Sequence, residues 1–348
     1  MIYSFCMIKF GSEQGEVNTI YYITLDLEWN QAERRHAKAN LQFEIIEVGA
    51  VKLDEHWNVV DHFSMLVKPR VYPHLFPKVL EIVNITENEL HRKGKPFATV
   101  MKQFWDWCSS TGEYLLCTWG PMDITELLRN IQYYHLKCPL QHPVFYSDIQ
   151  KIYSLQYSNG KKRCSLEAAA DELQLTETLQ FHRAHADAYY TALIMQQLDR
   201  HLVDMYLSLD YFHLPANASE EVHMVFDTYS KYVSRVFPDK EAAFADKEVI
   251  SCTCYLCNTN IKKTIPWFSY LGRYYYCGGK CPTHGWVRSK IRLKKADSEH
   301  RVYVVKTTKV VLQSDIDDIL EKREDVREKR RKHLETSDPQ NTPAAEKK

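Results

Sequence analysis

Three short stretches set acids and a histidine at positions where chemistry is plausible. In "YYITLDLEWNQ", Tyr21 to Gln31, Asp26 and Glu28 interrupt a run of Ile, Leu and Trp. Side chains on a strand alternate with a period of two, so Thr24, Asp26 and Glu28 share one face and Ile23, Leu25, Leu27 and Trp29 the other. Alternating acids suit the wet face of an antiparallel strand. They suit equally a divalent cation, because adjacent like charges favour a counter-ion and hard oxygen ligands favour Mg²⁺ or Mn²⁺. In "LLCTWGPMDITELL" an apolar strand runs into Gly120 and Pro121, and Asp123 opens a helix. With Glu126 three residues on, Asp123 has the form of a capping box as well as that of a ligand. In "FHRAHADAYYTALIMQQL", His182 and Asp187 lie where a loop enters a helix. Five residues on a helix turn by about 140°, so the two converge only if His182 precedes the helix.

A fourth stretch offers softer ligands. "CTCYLC" and "CGGKC" pair Cys254 with Cys257 and Cys277 with Cys281, a spacing that suits a tetrahedral Cys₄ zinc site closed by two turns, with Cys252 and His284 as alternative ligands. Reduced structural cysteines are the other reading of the same residues. Half of the ten cysteines fall between Cys252 and Cys281, and the chain opens without a secretory signal, so a metal is favoured over a disulfide framework and a cytoplasmic location is expected. No apolar run reaches the length of a membrane helix.

The elements that must position these residues follow from the pattern. Strands are predicted at about 20 to 29, 47 to 54 and up to Pro69, forming a meander around the turn "DEHWN". Helical spacing in "PFATVMKQFWDWC", a strand "YLLCTW", a helix from Asp123, a strand "PVFYSD" and helices at "SLEAAADEL" and "AYYTALIMQQL" follow. Such an order implies a mixed α/β sheet of five strands with helices against it. The expected division is an extension over 1–19, a catalytic domain over 20–205, a helical connection over 206–250, a small basic β module over 251–312, and a charged helix with a disordered tail over 313–348. Net charge is zero, yet Lys262 to Lys309 holds twelve Lys or Arg against Asp297 and Glu299, a local +10 that leaves −10 elsewhere. Cations interleaved with Trp267, Phe268, Tyr274, Tyr275, Tyr276 and Trp286 suit single-stranded nucleic acid, or else a face that docks on the acidic body.

Taken together, D-x-E on an early strand, W-G-x-x-D at a strand-to-helix corner and H-R-A-x-x-D-A entering a late helix resemble the DEDDh exonucleases of the ribonuclease H-like fold. "LDLEWNQ", "FEIIEVGAVKLD" and "HRAHADAYYTA" resemble most the bacterial KapD type and the ERI-type RNA exonucleases. The resemblance covers roughly residues 20 to 205. It implies a 3′-to-5′ exonuclease on single-stranded ends, with RNA favoured over DNA. Asp26, Glu28, Asp123 and Asp187 would hold two Mg²⁺ or Mn²⁺, His182 would be the general base, and Leu27 and Phe43 would pack on terminal bases. His185 is the rival base, but on a helix it faces about 200° away from Asp187. The Cys-rich segment resembles a zinc ribbon with one structural Zn²⁺. A DNA proofreading or repair enzyme, and a non-catalytic binding protein that keeps the fold, are the alternatives.

Overall fold

A computed structural model of the chain describes residues 2–4, 20–33, 40–175, 179–296 and 300–337. Most of the expected N-terminal extension and the tail beyond Ser337 lie outside the described residues. Two compact units form, one over 8–213 and one over 214–348 together with 1–7.

The first unit is built on a six-stranded sheet. A short β1 (Ile2–Ser4) belongs to the second unit; β2 (Tyr21–Gln31), β3 (Phe43–Leu53) and β4 (Val59–Leu66) make the antiparallel meander, and β5 (Tyr114–Thr118) and β6 (Phe145–Asp148) add in parallel. A sixth strand, β7 (Ser208–Leu209), pairs antiparallel with β6 and gives the order β4-β3-β2-β5-β6-β7. The expected five strands omit this edge, because two residues carry no periodic signal.

Each face of the sheet is covered by a different set of helices. Ile23, Leu25 and Leu27 pack with Val48, Ala50 and Phe63 against Phe97, Val100, Met101 and Phe104 of helix 97–109 and Leu127 and Ile131 of helix 122–133. Tyr22, Val51 and Leu53 share the opposite core with Ala188, Ala192 and Met195 of the helix Ala184–Met195. That late helix is apolar almost all round, as expected of one packed on several sides. It reaches the sheet because Gly49, the register partner of Asp26, has no side chain. A Cβ there would lie 2.1 Å from the backbone C of Ala184 and N of His185.

The second unit differs from expectation. Residues 222–225 and 230–233, predicted within a helical connection, are strands β8 (Val222–Val225) and β9 (Ser230–Val233), paired as a hairpin. Val222 and Met224 are buried at alternate positions and Tyr232 and Val233 are buried too, and β-branched and aromatic residues favour a pleated, half-buried surface over a helix. Strands β10 (Lys263–Tyr270), β11 (Tyr274–Cys281), β12 (Gly285–Lys295) and β13 (Val302–Val311) continue it, in the order β1-β8-β9-β13-β12-β11-β10. The expected small ribbon is therefore part of a seven-stranded sheet with its own core around Phe237, Val249, Tyr275, Ile291 and Val304. Helix 313–337 follows β13. No helix among the described residues is long and apolar enough to cross a membrane.

Gly49→Ala tests the contact between sheet and late helix. Relief of a backbone clash requires the helix to lift, and overpacking of this kind costs about 3 kcal/mol or more. The urea midpoint of the variant is expected to drop accordingly. An unchanged midpoint would mean that Ala184 does not lie on β3.

Candidate active site and a second candidate metal centre

Asp26 and Glu28 project from β2 on the face that carries Thr24, whose hydroxyl donates to the Ala188 carbonyl at 2.8 Å. The late helix lies on that face, and its first turn brings Asp187 to the pair. Carboxylate oxygens of Asp26, Glu28 and Asp187 lie within 4.8 Å of one another. Asp123 arrives from the other side, in the first turn of helix 122–133. It forms no capping box, because no side-chain cap is present at that helix start and Glu126 pairs with Arg129 at 3.1 Å. Its Oδ1 instead accepts from the Leu27 amide at 3.2 Å, which fixes it beside Asp26.

The electrostatics follow from that crowding. Burial first, then the charges of Asp123, Asp187, Glu28 and Glu47, hold the Asp26 carboxyl well above the usual carboxylate range. Glu28 is pushed up to about 8 by burial and then by Asp187. Burial raises Asp123 to about 7 against the pull of the Leu27 amide. Asp187 rises to about 6, with the His182 amide and imidazole drawing it down. Asp187 Oδ1 is buried with no hydrogen-bond partner. Hard oxygen donors that repel one another around an unsatisfied buried oxygen fit a divalent cation.

His182 sits just before the helix, exposed, with φ of 65°. A non-glycine residue in the left-handed region costs about 1 kcal/mol and persists where surrounding contacts over-determine it. Here the His182 amide donates to Asp187 Oδ2 at 3.2 Å, and Asn84 Nδ2 donates to the Phe181 carbonyl at 3.0 Å. Arg183 next door clasps Glu47, a buried acid on β3, with Nη2 at 2.8 Å and Nε at 3.1 and 3.2 Å. Glu47 also accepts from the Ala184 amide at 3.0 Å. The sequence alone does not reveal this clasp; Glu47, set with Glu44 in the otherwise apolar "FEIIEVGAV", is the signal that could have found it. His185 points elsewhere, with Nε2 3.0 Å from His62 Nδ1.

Two expected substrate contacts fare differently. Leu27 is 3% exposed, in the core on the face opposite the acids, so its side chain is not presented to a ligand; the expectation is corrected, and what Leu27 contributes is its amide. Phe43 is half-buried and its ring lies 5.7 Å from that of Trp29. A bulge after Glu28 breaks the register that the regular alternation assumed for Trp29.

Residues 23–195 match the exonuclease (RNase T) family model. This part of the chain, about half of it, is an exonuclease domain of the RNase T family, and the protein is a 3′–5′ exonuclease. It is similar to the probable 3′-5′ exonuclease KapD of Bacillus subtilis (strain 168), 27% identical over 170 residues, spanning 48% of this chain and 78% of the relative. Among solved structures, the nuclease domain of 3′hExo bound to rAMP aligns with a TM-score of 0.46 at 23% identity, over 55% of this chain and 96% of that one. Escherichia coli Exonuclease I in complex with a dA16 oligonucleotide aligns with a TM-score of 0.43 at 17% identity, over 53% and 42%.

In the second unit the four expected thiols do not come together. Cys254, Cys257, Cys281 and His284 form the cluster: Cys257 Sγ lies 3.6 Å from Cys281 Sγ, and His284 Nδ1 lies 3.6 Å from Cys254 Sγ and 3.8 Å from Cys281 Sγ. Cys277 and Cys281 are both on β11, where four residues span about 13 Å, so two strand thiols at this spacing cannot share one ion. Cys277 is instead buried beside Cys252, whose Sγ is 3.6 Å from Ser289 Oγ. The turn after β11 supplies His284 as the fourth member of the cluster.

Stability should carry the mark of the crowded acids. An ordinary carboxyl titrates near 4, whereas Asp187, Asp123 and Glu28 titrate at about 6, 7 and 8 in the fold. Raised folded values mean that the unfolded chain loses its protons first, so stability falls as pH climbs from about 4 toward 8. In EDTA the thermal midpoint is expected to drop over that window, less so in Glu28→Gln, and Mn²⁺ at pH 8 should recover it. Parallel profiles for the two proteins would rule out the crowding.

Proposed function

We propose that the chain is a metal-dependent 3′-to-5′ exonuclease acting on single-stranded ends, releasing nucleoside 5′-monophosphates. The observation that carries this reading is the convergence of Asp26, Glu28 and Asp187 around the bare Asp187 Oδ1, with His182 at the entrance. RNA is favoured over DNA because of the likeness to the ERI-type RNA exonucleases.

Asp26, Glu28, Asp123 and Asp187 would hold two Mg²⁺ or Mn²⁺. Such ions supply Lewis-acid activation of water and of the leaving oxygen in an in-line displacement. The chain's own groups do the rest. An imidazole nitrogen of His182 takes the proton of the attacking water; the water oxygen bonds to phosphorus, the bond to the 3′ oxygen breaks, and that oxygen takes a proton from solvent. His182 suits the task because it is exposed just before the helix and lies beside Asp187. The Glu47–Arg183 clasp holds the loop on which His182 stands.

In the second unit Cys254, Cys257, Cys281 and His284 would hold one structural Zn²⁺. Tetrahedral zinc with Zn–S of about 2.3 Å sets its ligand edges near 3.8 Å. The observed separations of 3.6 to 3.8 Å accord with that.

End-labelled single-stranded RNA and DNA, incubated with Mg²⁺, Mn²⁺ or EDTA, test the activity. Stepwise loss from the 3′ end is expected with either metal and none with EDTA. Asp26→Asn should remove at least a hundredfold of the rate, and His182→Ala should cost more than His185→Ala, since loss of a general base is worth about 10²- to 10⁴-fold. Near-normal turnover by Asp26→Asn would refute the ligand set.

Metal analysis of the purified chain tests the zinc. One zinc per chain is expected, retained in Cys277→Ser and lost in a His284→Ala, Cys281→Ser double variant. Loss in Cys277→Ser alone would restore the four-thiol assignment.

A further inference from the structure

The seven-stranded sheet has two unlike faces. On one, Tyr275, Cys277, Val287, Ser289, Ile291 and Val304 are buried. On the other, register aligns Phe268, Tyr276 and Lys290 in one cross-strand row and Tyr270, Tyr274 and Arg292 in the next. Arg288, Lys290 and Arg292 follow one another at alternate positions of β12, so all three lie on this second face. The Lys290 ammonium stands 4.6 Å from the Tyr274 ring centroid and 5.7 Å from that of Tyr276, and the Arg292 guanidinium 5.9 Å from Tyr274. Tyr270 meets Tyr276 edge-on at 6.3 Å, and Phe268 lies 6.0 Å from it.

This face is only partly covered by its own chain. Ile316 and Ile319 of helix 313–337 seat on Ile265 and pack near Phe268, Tyr276, Trp286 and Val311, toward one end. Tyr270 and Tyr274 remain half-buried and Arg292 exposed. Positive charge is concentrated here: Arg288, Arg292 and Lys322 all surround Lys290 and, after its burial, push its ammonium down. The acid hydrogen-bonded here is Asp315, 3.2 Å from Arg288. Two rings expected on this surface are placed elsewhere: Tyr275 is buried on the opposite face, and Trp267 donates to the Ile250 carbonyl at 2.8 Å. Trp286 lies on this face at the covered end, where it donates to Gln313 Oε1 at 2.6 Å.

We propose that the face carrying Tyr270, Tyr274, Tyr276, Arg288, Lys290 and Arg292 is a binding platform for single-stranded nucleic acid. Two chemistries on one surface select that ligand. Clustered cations, of which Arg288 is paired with Asp315, call for a polyanion, and aromatic rows call for a polymer that also offers flat apolar faces. A duplex keeps its bases stacked inside and an acidic polypeptide has none. The proposal rests on the exonuclease reading for its meaning: a strand held by this face is bound to the same chain that carries the catalytic centre. Stacking tolerates any base, so the platform takes strands irrespective of sequence.

The test is equilibrium binding of the full chain, in EDTA so that nothing is hydrolysed, to a fluorescent oligouridylate about 20 nucleotides long and to a duplex of equal length. Tyr274→Ala and Tyr276→Ala are each expected to weaken the single strand by about tenfold, while Tyr276→Phe keeps its affinity. The double variant Lys290→Gln, Arg292→Gln should lower the slope of log affinity against log salt by about 1.4, from roughly 0.7 for each lost phosphate contact. The duplex should not distinguish Tyr from Ala. Unchanged affinity and slope in variants with a wild-type thermal midpoint would overturn the platform, as would equal losses on single strand and duplex. Failure of the exonuclease reading would show separately, as an oligouridylate left intact by the wild type with Mn²⁺.

Discussion

Mutual repulsion of carboxylates gathered on one face of β2 is the constraint on which the catalytic unit depends. Two like charges about 4 Å apart cost on the order of 4 kcal/mol at the effective dielectric of a protein, comparable with the whole net stability of a domain, roughly 5–15 kcal/mol. The acids will not assemble by attraction, so the backbone must bring them together. Three devices do it. Asp26 and Glu28 share a strand face by alternation, the Leu27 amide holds Asp123, and Gly49 lets the late helix approach until its Asp187 meets them. Part of the favourable energy of the core is therefore spent on confining charge, which a bound cation returns.

Ligand acids and structural acids lie side by side in this unit, and their partners tell them apart. Glu44 accepts from the amides of Arg70, Val71 and Tyr72 and from the Tyr134 hydroxyl; Glu47 is clasped by Arg183; Glu126 pairs with Arg129. Glu44 and Glu47 have their charge answered by fixed donors, and Glu126 by the guanidinium of Arg129 alone. Among the described residues, no hydrogen bond or ion pair reaches the carboxylates of Asp26 and Glu28, and Asp187 keeps Oδ1 bare. A buried acid without donors is costly unless something else satisfies it. Burial alone does not mark the clustered carboxylates; a scarcity of fixed donors around several adjacent acids does.

Much of this was legible from residue types. The period-two pattern puts Asp26 and Glu28 together, the helix geometry separates His182 from His185, and the meander followed by strand-helix alternation matches the observed sheet apart from its two-residue edge. What escaped depends on partners distant in sequence. Nothing in "EVGAV" says that Gly49 lies under Ala184, or that Glu47 reaches Arg183 across 136 positions. Asp123 looked like a cap because a capping box is a local pattern, whereas its actual partner, the Leu27 amide, is 96 residues away. The thiol pairs misled for a related reason: a spacing of three between cysteines serves a turn, but Cys277 and Cys281 are on one strand.

That last difference changes what a metal at the Cys/His cluster would be for. A zinc ribbon standing alone has almost no apolar interior and folds only around its ion. Here the cluster is attached to a sheet with a core that includes Phe237, Val249, Tyr275, Ile291 and Val304, none of which depends on the ligands for burial. The ligands come from the loop before β10, the end of β11 and the turn into β12. An ion held by them ties one end of the β11–β12 hairpin to the segment that leads into β10. Those are the strands whose outer face carries the rows of rings and cations, and stacking on a ring requires the row to stay in register. The metal would thus act on the alignment of the platform more than on the existence of the fold.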